Sequence, residues 1–263
     1  MLRYNIMAHT LAHQWQICLS LTQTDNLPLH LSLPNWVPGS YLIRDFSRHI
    51  IQIEATCNGG RAQISQTSKN HWQTEARAGQ WQICYTVYAY DLSVRGAYLS
   101  NERGFFDGAC LFLSVQGREH EPHQVVFEQL PESWQTATTL PRLDTHTFQT
   151  ASYAELIDHP VELGHIEVLS FEAGGIAHRI ALSGIYADFD RERLISDIQK
   201  ICRTELAKDN AETDLITITY LQLVTHTSPI HTTSSPLITN RPFSTTRNHT
   251  FATTASSHFL DAQ

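Results

Sequence analysis

The sequence predicts a mainly β protein: an antiparallel β-sandwich first, a smaller α+β segment next, and a polar tail. Three observations carry this. Short segments of alternating apolar and polar residues recur through the first ~150 positions, with Gly, Pro or Asn between them. Only residues 191–206 repeat apolar side chains clearly at helical spacing. From residue 225 onward, 16 of 39 residues are Ser or Thr and no period persists. Such a composition does not offset the entropy of ordering, so disorder is expected there. The expected boundaries are 1–150 for the β-sandwich, 151–223 for the α+β segment and 224–263 for the tail.

The elements follow in order. Residues 3–8, 14–21 and 28–33 alternate in part, as with Trp15, Ile17, Leu19 and Leu21, and read as half-buried strands. Residues 33–50, LPNWVPGSYLIRDFSRHI, then break the pattern. Pro34 and Pro38 fix φ and bias the preceding residues to extended geometry. Pro38-Gly39 is a turn dipeptide. Trp36 and Tyr41 flank it with large rings, and Arg44, Asp45 and Arg48 follow among Leu42, Ile43 and Phe46. The run reads as a strand end, a sharp turn and an aromatic-and-arginine surface; the same residues also suit a well-packed turn between two sheets.

A strand is expected from about residue 48 to Cys57, a hairpin at Asn58-Gly59-Gly60, and a returning strand over 62–67. Residues 71–75 and 80–90 come next. The latter, QWQICYTVYAY, places Trp81, Ile83, Tyr85, Val87 and Ala89 on one face. Strands over 109–115 and 124–128 complete the first domain. Ser152 with Glu155 suggests a capping box for a short helix that Pro160 stops. Residues 161–170 and 176–183 read as a strand pair across Ala173-Gly174-Gly175. Asp190 is the N-cap of the long helix, whose apolar face carries Leu194, Ile195, Ile198, Ile201, Cys202 and Leu206. Residues 215–223 form a last strand.

Charge and composition exclude some functions. A net charge of −8 leaves no basic stripe for nucleic acid. No apolar run approaches the ~20 residues that span a bilayer, and no basic-then-apolar leader opens the chain. The five cysteines are scattered, odd in number and without C-x-x-C, which reads as reduced thiols. A soluble, cytoplasmic protein with no nucleic-acid or membrane partner is expected.

Three motifs carry a resemblance. The 33–50 run resembles the W-x-P-G-S-Y-x-x-R-x-F segment of the glycyl aminopeptidase family, zinc metallopeptidases that usually also carry a PDZ domain. Residues 95–113, RGAYLSNERGFFDGACLFL, are similar to that family's R-x-A-Y-L-x-x-x-R-G-F-F-x-G loop and strand. Residues 152–164, SYAELIDHPVELG, resemble the Y-x-E-L-x-D-H-P-V-E-x-G segment that leads into its catalytic domain. The resemblance implies that Trp36, Pro38, Gly39, Tyr41 and Arg44 form a structural motif. It also implies that residues 151–223 are the incomplete start of a thermolysin-like catalytic domain. The family's G-G-L-E-H stretch and zinc helix do not follow Leu223, which suggests a frameshifted or mispredicted end.

The chemistry of a zincin needs two histidines at i and i+4 on one helix face with a Glu after the first. No His-Glu-x-x-His occurs. His120-Glu121-Pro122-His123 has the wrong spacing and a helix-breaking proline. His9 and His13 have the spacing but no Glu, and suit loop histidines better. Ser40 does not sit in a nucleophile elbow, and Cys110 lies in an apolar pattern that suits an inert buried thiol. No catalytic residue, no metal site and no cofactor are therefore expected in this chain, zinc belonging to intact relatives.

The remaining expectation is accessory. In the resembled family the first domain helps wall the cleft that takes a peptide substrate's N-terminus. Tyr98, Asn101, Glu102 and Asp107 are the substrate-cleft candidates, because carboxylates suit an α-ammonium group; a solvated loop is the plainer alternative. The expected function is the non-catalytic N-terminal portion of such a peptidase, inactive alone. A stand-alone β-sandwich that binds peptide or glycan through Trp36 and Tyr41 is the alternative. A third is a remnant whose long helix exposes its apolar face.

Overall fold

A computed structural model describes residues 1–37, 40–93, 95–183 and 188–209, and the strands at 217–222, 236–239 and 252–254. In chain order the elements are β1 (Leu2–His9), β2 (Gln14–Gln23), β3 (Pro28–Ser32), β4 (Ile50–Cys57), β5 (Gly60–Ala62), β6 (Ile64–Ser68), β7 (His71–Ala76) and β8 (Gly79–Tyr88). There follow β9 (Ala97–Leu99), β10 (Arg103–Phe106), α1 (Gly108–Leu111), β11 (Ser114–Val115), β12 (His123–Gln129), β13 (Gln135–Thr138), β14 (Thr147–Thr150) and α2 (Tyr153–Ile157). The chain closes with β15 (Val161–Gly164), β16 (Glu167–Ala173), β17 (Ile176–Ser183), α3 (Arg191–Asp209), β18 (Thr217–Gln222), β19 (Pro236–Thr239) and β20 (Ala252–Thr254). These form two compact units, Met1–Trp134 with Leu140–Val161, and Gln135–Thr139 with Glu162–Gln263.

The first unit holds a seven-stranded sheet in the order β14-β12-β1-β2-β8-β4-β5 and a four-stranded sheet β11-β3-β7-β6. The mainly β class and the sandwich's antiparallel pairing hold, with one exception: β1 and β12 run parallel. Alternation decides which face is buried. Trp15, Ile17, Leu19 and Leu21 of β2 are buried, as are Trp81, Ile83, Tyr85 and Val87 of β8, and the two sets lie opposite one another in register. Asn58 and Gly59 both take positive φ, 53° and 75°, as a tight two-residue hairpin turn requires. The returning strand is split. β5 stays on the large sheet, while β6 crosses to the small one after Gln63.

The expected strand over 109–115 is instead one turn of helix followed by two strand residues. Asp107 explains the start, since its Oδ1 accepts a hydrogen bond from the Ala109 N–H at 2.9 Å. The segment from Gly108 to Val115 is buried throughout, so irregular backbone polar groups lie away from water. Three tyrosine hydroxyls satisfy them. Tyr85 donates to the Leu111 carbonyl at 2.7 Å, Tyr153 to Phe112 at 2.7 Å and Tyr4 to Leu113 at 2.8 Å. The Tyr85 oxygen also accepts from the Leu113 N–H at 3.3 Å. Burial pushes all three phenols above their ordinary range, so they remain protonated donors. Gly108 is required by close approach: a Cβ there would lie 2.9 Å from the Ile157 Cα.

Ser152 caps α2 through the Glu155 N–H at 3.2 Å, and Glu155 reaches back to the Ala151 N–H at 2.7 Å. This is the expected capping box displaced by one residue at its return arm.

The cysteine expectation is corrected. Cys18 and Cys84 form a disulfide between paired residues of β2 and β8. Adjacent antiparallel strands hold directly opposite residues close, here with Cα atoms 4.1 Å apart. Scattered spacing along the chain conceals such a pair. Cys57, Cys110 and Cys202 are free thiols.

In the second unit β16 and β17 form the expected hairpin, Gly174 and Gly175 both turning with positive φ. β18 adds parallel to β17, and β19 and β20 follow antiparallel. Asp190 accepts from the Arg193 N–H at 2.9 Å and caps α3. The exposed apolar face expected for this helix is corrected too. Ile198 is buried with Ile180 and Leu182 of β17, and Leu194, Ile195 and Cys202 pack around them. Among the described side chains of that face, Ile201 alone turns outward; Leu206 lies outside them. The tail expectation for 224–263 falls largely outside the described residues.

Two outcomes follow. Tyr85→Phe leaves the Leu111 carbonyl buried without its donor, so denaturant unfolding should show a loss of about 1–3 kcal/mol. An unchanged midpoint would remove the hydroxyls from this role. Reduction of Cys18–Cys84, which closes a loop with a sequence separation of 66, should lower stability by about 2–4 kcal/mol, read as a drop in unfolding midpoint with added reductant.

Candidate substrate-facing loop

The residues expected to line a cleft lie on the β9–β10 hairpin of the first unit. Its two strands pair through Leu99–Gly104, Tyr98–Phe105 and Ala97–Phe106. Phe105 and Phe106 are buried and anchor the hairpin. Phe106 meets Trp15, Phe112 and Phe127 with centroids 5.6, 5.8 and 6.3 Å away. Gly104 lies over the Trp15 ring, where a Cβ would come within 2.7 Å of Cζ2. The buried strand thus positions the tip as a rigid extension of the core.

The tip itself is polar. Ser100 donates its N–H to the Arg103 carbonyl at 2.8 Å, and its Oγ accepts from the Glu102 and Arg103 N–H groups at 3.3 Å each. This local hydrogen bonding pins the turn. Asn101 and Glu102 are exposed at its apex. Tyr98 is half-buried, stacked on Tyr90 at 5.3 Å, with the Arg103 guanidinium 5.4 Å from its centroid. His13 packs at a tilt against Tyr90, centroids 4.3 Å apart, and its Nδ1 lies 2.5 Å from the Leu99 carbonyl oxygen. Long-range pairing builds this cluster; the sequence shows His13 only as the partner of His9 and Tyr90 only as the end of a strand.

Asp107 stands apart from Glu102. It caps α1 at the far end of β10, a four-residue strand that spans ~13 Å. The hairpin therefore does not bring the two carboxylates together. Burial pushes the Asp107 carboxyl up to about 6; the Ala109 N–H and the guanidiniums of Arg95 and Arg44 pull the other way, and Asp158 adds to the rise. Burial likewise raises Asp158 to about 6.

The structural motif of the 33–50 run is partly described. Trp36 donates its indole N–H to the Ser40 carbonyl at 2.8 Å, and the Arg44 Nε donates to the Ser40 Oγ at 3.3 Å. Tyr41, Leu42 and Ile43 are exposed, and Trp36 is 49% exposed. Pro38 and Gly39 lie outside the described residues. His123 is buried against Tyr4 and Tyr153, with Nδ1 2.7 Å from the Glu121 carbonyl oxygen. Among the described residues no group of three His, Cys, Asp or Glu side chains is placed to hold a metal ion. No described helix is long and apolar enough to cross a membrane.

Residues 3–165 match the family of the Peptidase M61 N-terminal domain. The chain is also similar to the crystal structure of an aminopeptidase N family protein from Idiomarina loihiensis, at 37% identity and a TM-score of 0.78. That match covers 83% of this chain and 38% of the other, so this chain spans well under half of that protein. No curated protein matches it.

The raised Asp107 carboxyl has a signed consequence. A folded value of about 6 against 3.8 unfolded means the native state holds the proton more tightly. Its contribution is complete below about pH 4 and is lost as pH rises through about 6. His49, His123, His159 and His178, held below their ordinary value by burial, act oppositely in the same window. The difference between variant and wild type isolates Asp107. Asp107→Asn keeps the capping oxygen, so its stability relative to wild type should rise by about 1–3 kcal/mol between pH 4 and pH 8. Parallel pH profiles for the two proteins would refute this.

Proposed function

Because this chain belongs to the Peptidase M61 N-terminal domain family, we propose that it is the non-catalytic N-terminal portion of a glycyl aminopeptidase-like zinc metallopeptidase. The family match over residues 3–165 carries this reading. The similar aminopeptidase N family structure supports a peptidase-associated role. In the complete enzyme, zinc-activated water would cleave N-terminal residues, with preference for small ones such as Gly; a PDZ domain would accompany the catalytic one. The zinc ligands would lie outside these 263 residues, since no His-Glu-x-x-His occurs here.

The role assigned to this portion is to wall the substrate cleft. The β9–β10 hairpin, anchored by the buried Phe105 and Phe106, presents Glu102 and Asn101 to solvent. A carboxylate with a neighbouring amide would accept charge-assisted hydrogen bonds from a peptide α-ammonium. Asp107, turned to cap α1, would support the loop from behind. A second reading, a peptide- or glycan-binding module, draws on the exposed rings of Trp36 and Tyr41.

Purified chain with added zinc should release no glycine from triglycine above a blank. Chelator-sensitive hydrolysis would overturn the non-catalytic assignment. In a full-length M61 peptidase, replacing the residue matching Glu102 by Gln should raise KM by about tenfold with kcat nearly unchanged. An unchanged KM would remove the hairpin from substrate binding, and specific glycan binding by the purified chain would favour the second reading.

A further inference from the structure

We propose that a second site on the first unit, the cavity between the 44–49 segment and the 91–97 loop, binds a small oxyanion, a carboxylate or a phosphate. The cavity is partly open to solvent. Arg44, Arg48, Arg95 and His49 line it, with Asp91 the one acidic side chain among the lining residues. Arg44 and Arg48 outnumber the Asp91 carboxylate in the lining, while Asp107, outside the lining, acts on Arg44 and Arg95.

The arginine partners are what single this cavity out. Among the described residues, neither Arg44 nor Arg48 has a carboxylate oxygen within 4 Å of its guanidinium. Arg44 Nε donates to the neutral Ser40 Oγ at 3.3 Å, and Arg48 Nε donates to His49 Nε2 at 3.1 Å. Each fork retains donors to spare, and a guanidinium's planar fork matches an oxyanion in bidentate geometry. With Nε2 accepting, the uncharged His49 ring carries its proton on Nδ1 and has one more donor. Burial, and the Arg48 charge after it, hold His49 below its ordinary value, which keeps the ring in that neutral form. Asp91 accepts from the Ser93 N–H at 2.9 Å, and its charge acts on His49 in the sense opposite to Arg48.

The walls strengthen the field. Phe46, Val87, Ala97 and Cys110 are buried apolar surface, and low-dielectric walls raise the effect of each charge. Gly96 lets the loop fold this closely, because a Cβ there would lie 2.8 Å from the Asp91 carboxyl carbon and 2.9 Å from Ser93 Oγ. The site stands independently of any peptidase role, since it uses none of Tyr98, Asn101, Glu102 or Asp107.

The test is titration calorimetry of the full chain with inorganic phosphate and with N-acetylglycine, ionic strength being held constant with NaCl. One saturable site for either anion is expected, and the tighter of the two identifies the oxyanion class. Arg44→Gln with Arg48→Gln should weaken binding about tenfold or more. Arg48→Gln alone, at an exposed side chain, should weaken it several-fold without disturbing the near-UV spectrum. Lys200→Gln removes an equal charge in the second unit, at an exposed lysine paired with Asp197 at 3.2 Å, and should change nothing. Absence of saturable binding by both anions, or an equal loss in Lys200→Gln, would overturn the proposal.

Discussion

Backbone carbonyls cannot be left dry in a protein core without a partner, and this constraint shapes the first unit. The segment from Gly108 to Val115 passes through buried space without a full ladder of strand partners. Tyr4 from β1, Tyr85 from β8 and Tyr153 from α2 each supply a hydroxyl to one of three consecutive carbonyls. Each ring also contributes apolar burial, so one residue type solves both problems at once. The tyrosines tie together β1, β8 and α2 through one irregular strand.

The same segment connects the core to the loop that faces outward. Just before it, Asp107 caps α1 and Phe106 anchors β10 among Trp15, Phe112 and Phe127. The hairpin tip at Asn101 and Glu102 inherits its position from that packing. A loop anchored in this way needs little ordering on meeting any ligand, which lowers the entropic cost of binding.

Charge is distributed with similar economy. The Arg191 guanidinium grips Glu167 through two hydrogen bonds, 2.6 and 3.1 Å, and Asp188 through a third. It thereby fastens the start of α3 to β16 within the second unit. Arg44 and Arg48 of the first unit are spent on neutral neighbours instead. That contrast separates an arginine used as a structural clamp from one whose donors remain open to a ligand.

Local signals were legible in the residues themselves. The alternation of β2 and β8, the Asn58-Gly59 turn, the Ser152 and Asp190 caps and the helix at Arg191–Asp209 all follow from preferences acting over a few positions. The motifs around Trp36, Tyr98 and Asp158 pointed to the family, and the exposed Glu102 was marked as a loop carboxylate. Tertiary structure decided the rest: the Cys18–Cys84 bond across 66 positions, the switch of the chain between sheets after Gln63, the inward turn of Asp107, and the tyrosines that reach carbonyls 26, 41 and 109 residues away. A strand's period states which face is buried but not which strand lies beside it. Partners distant in sequence therefore become visible only when the sheets assemble and bring their side chains together.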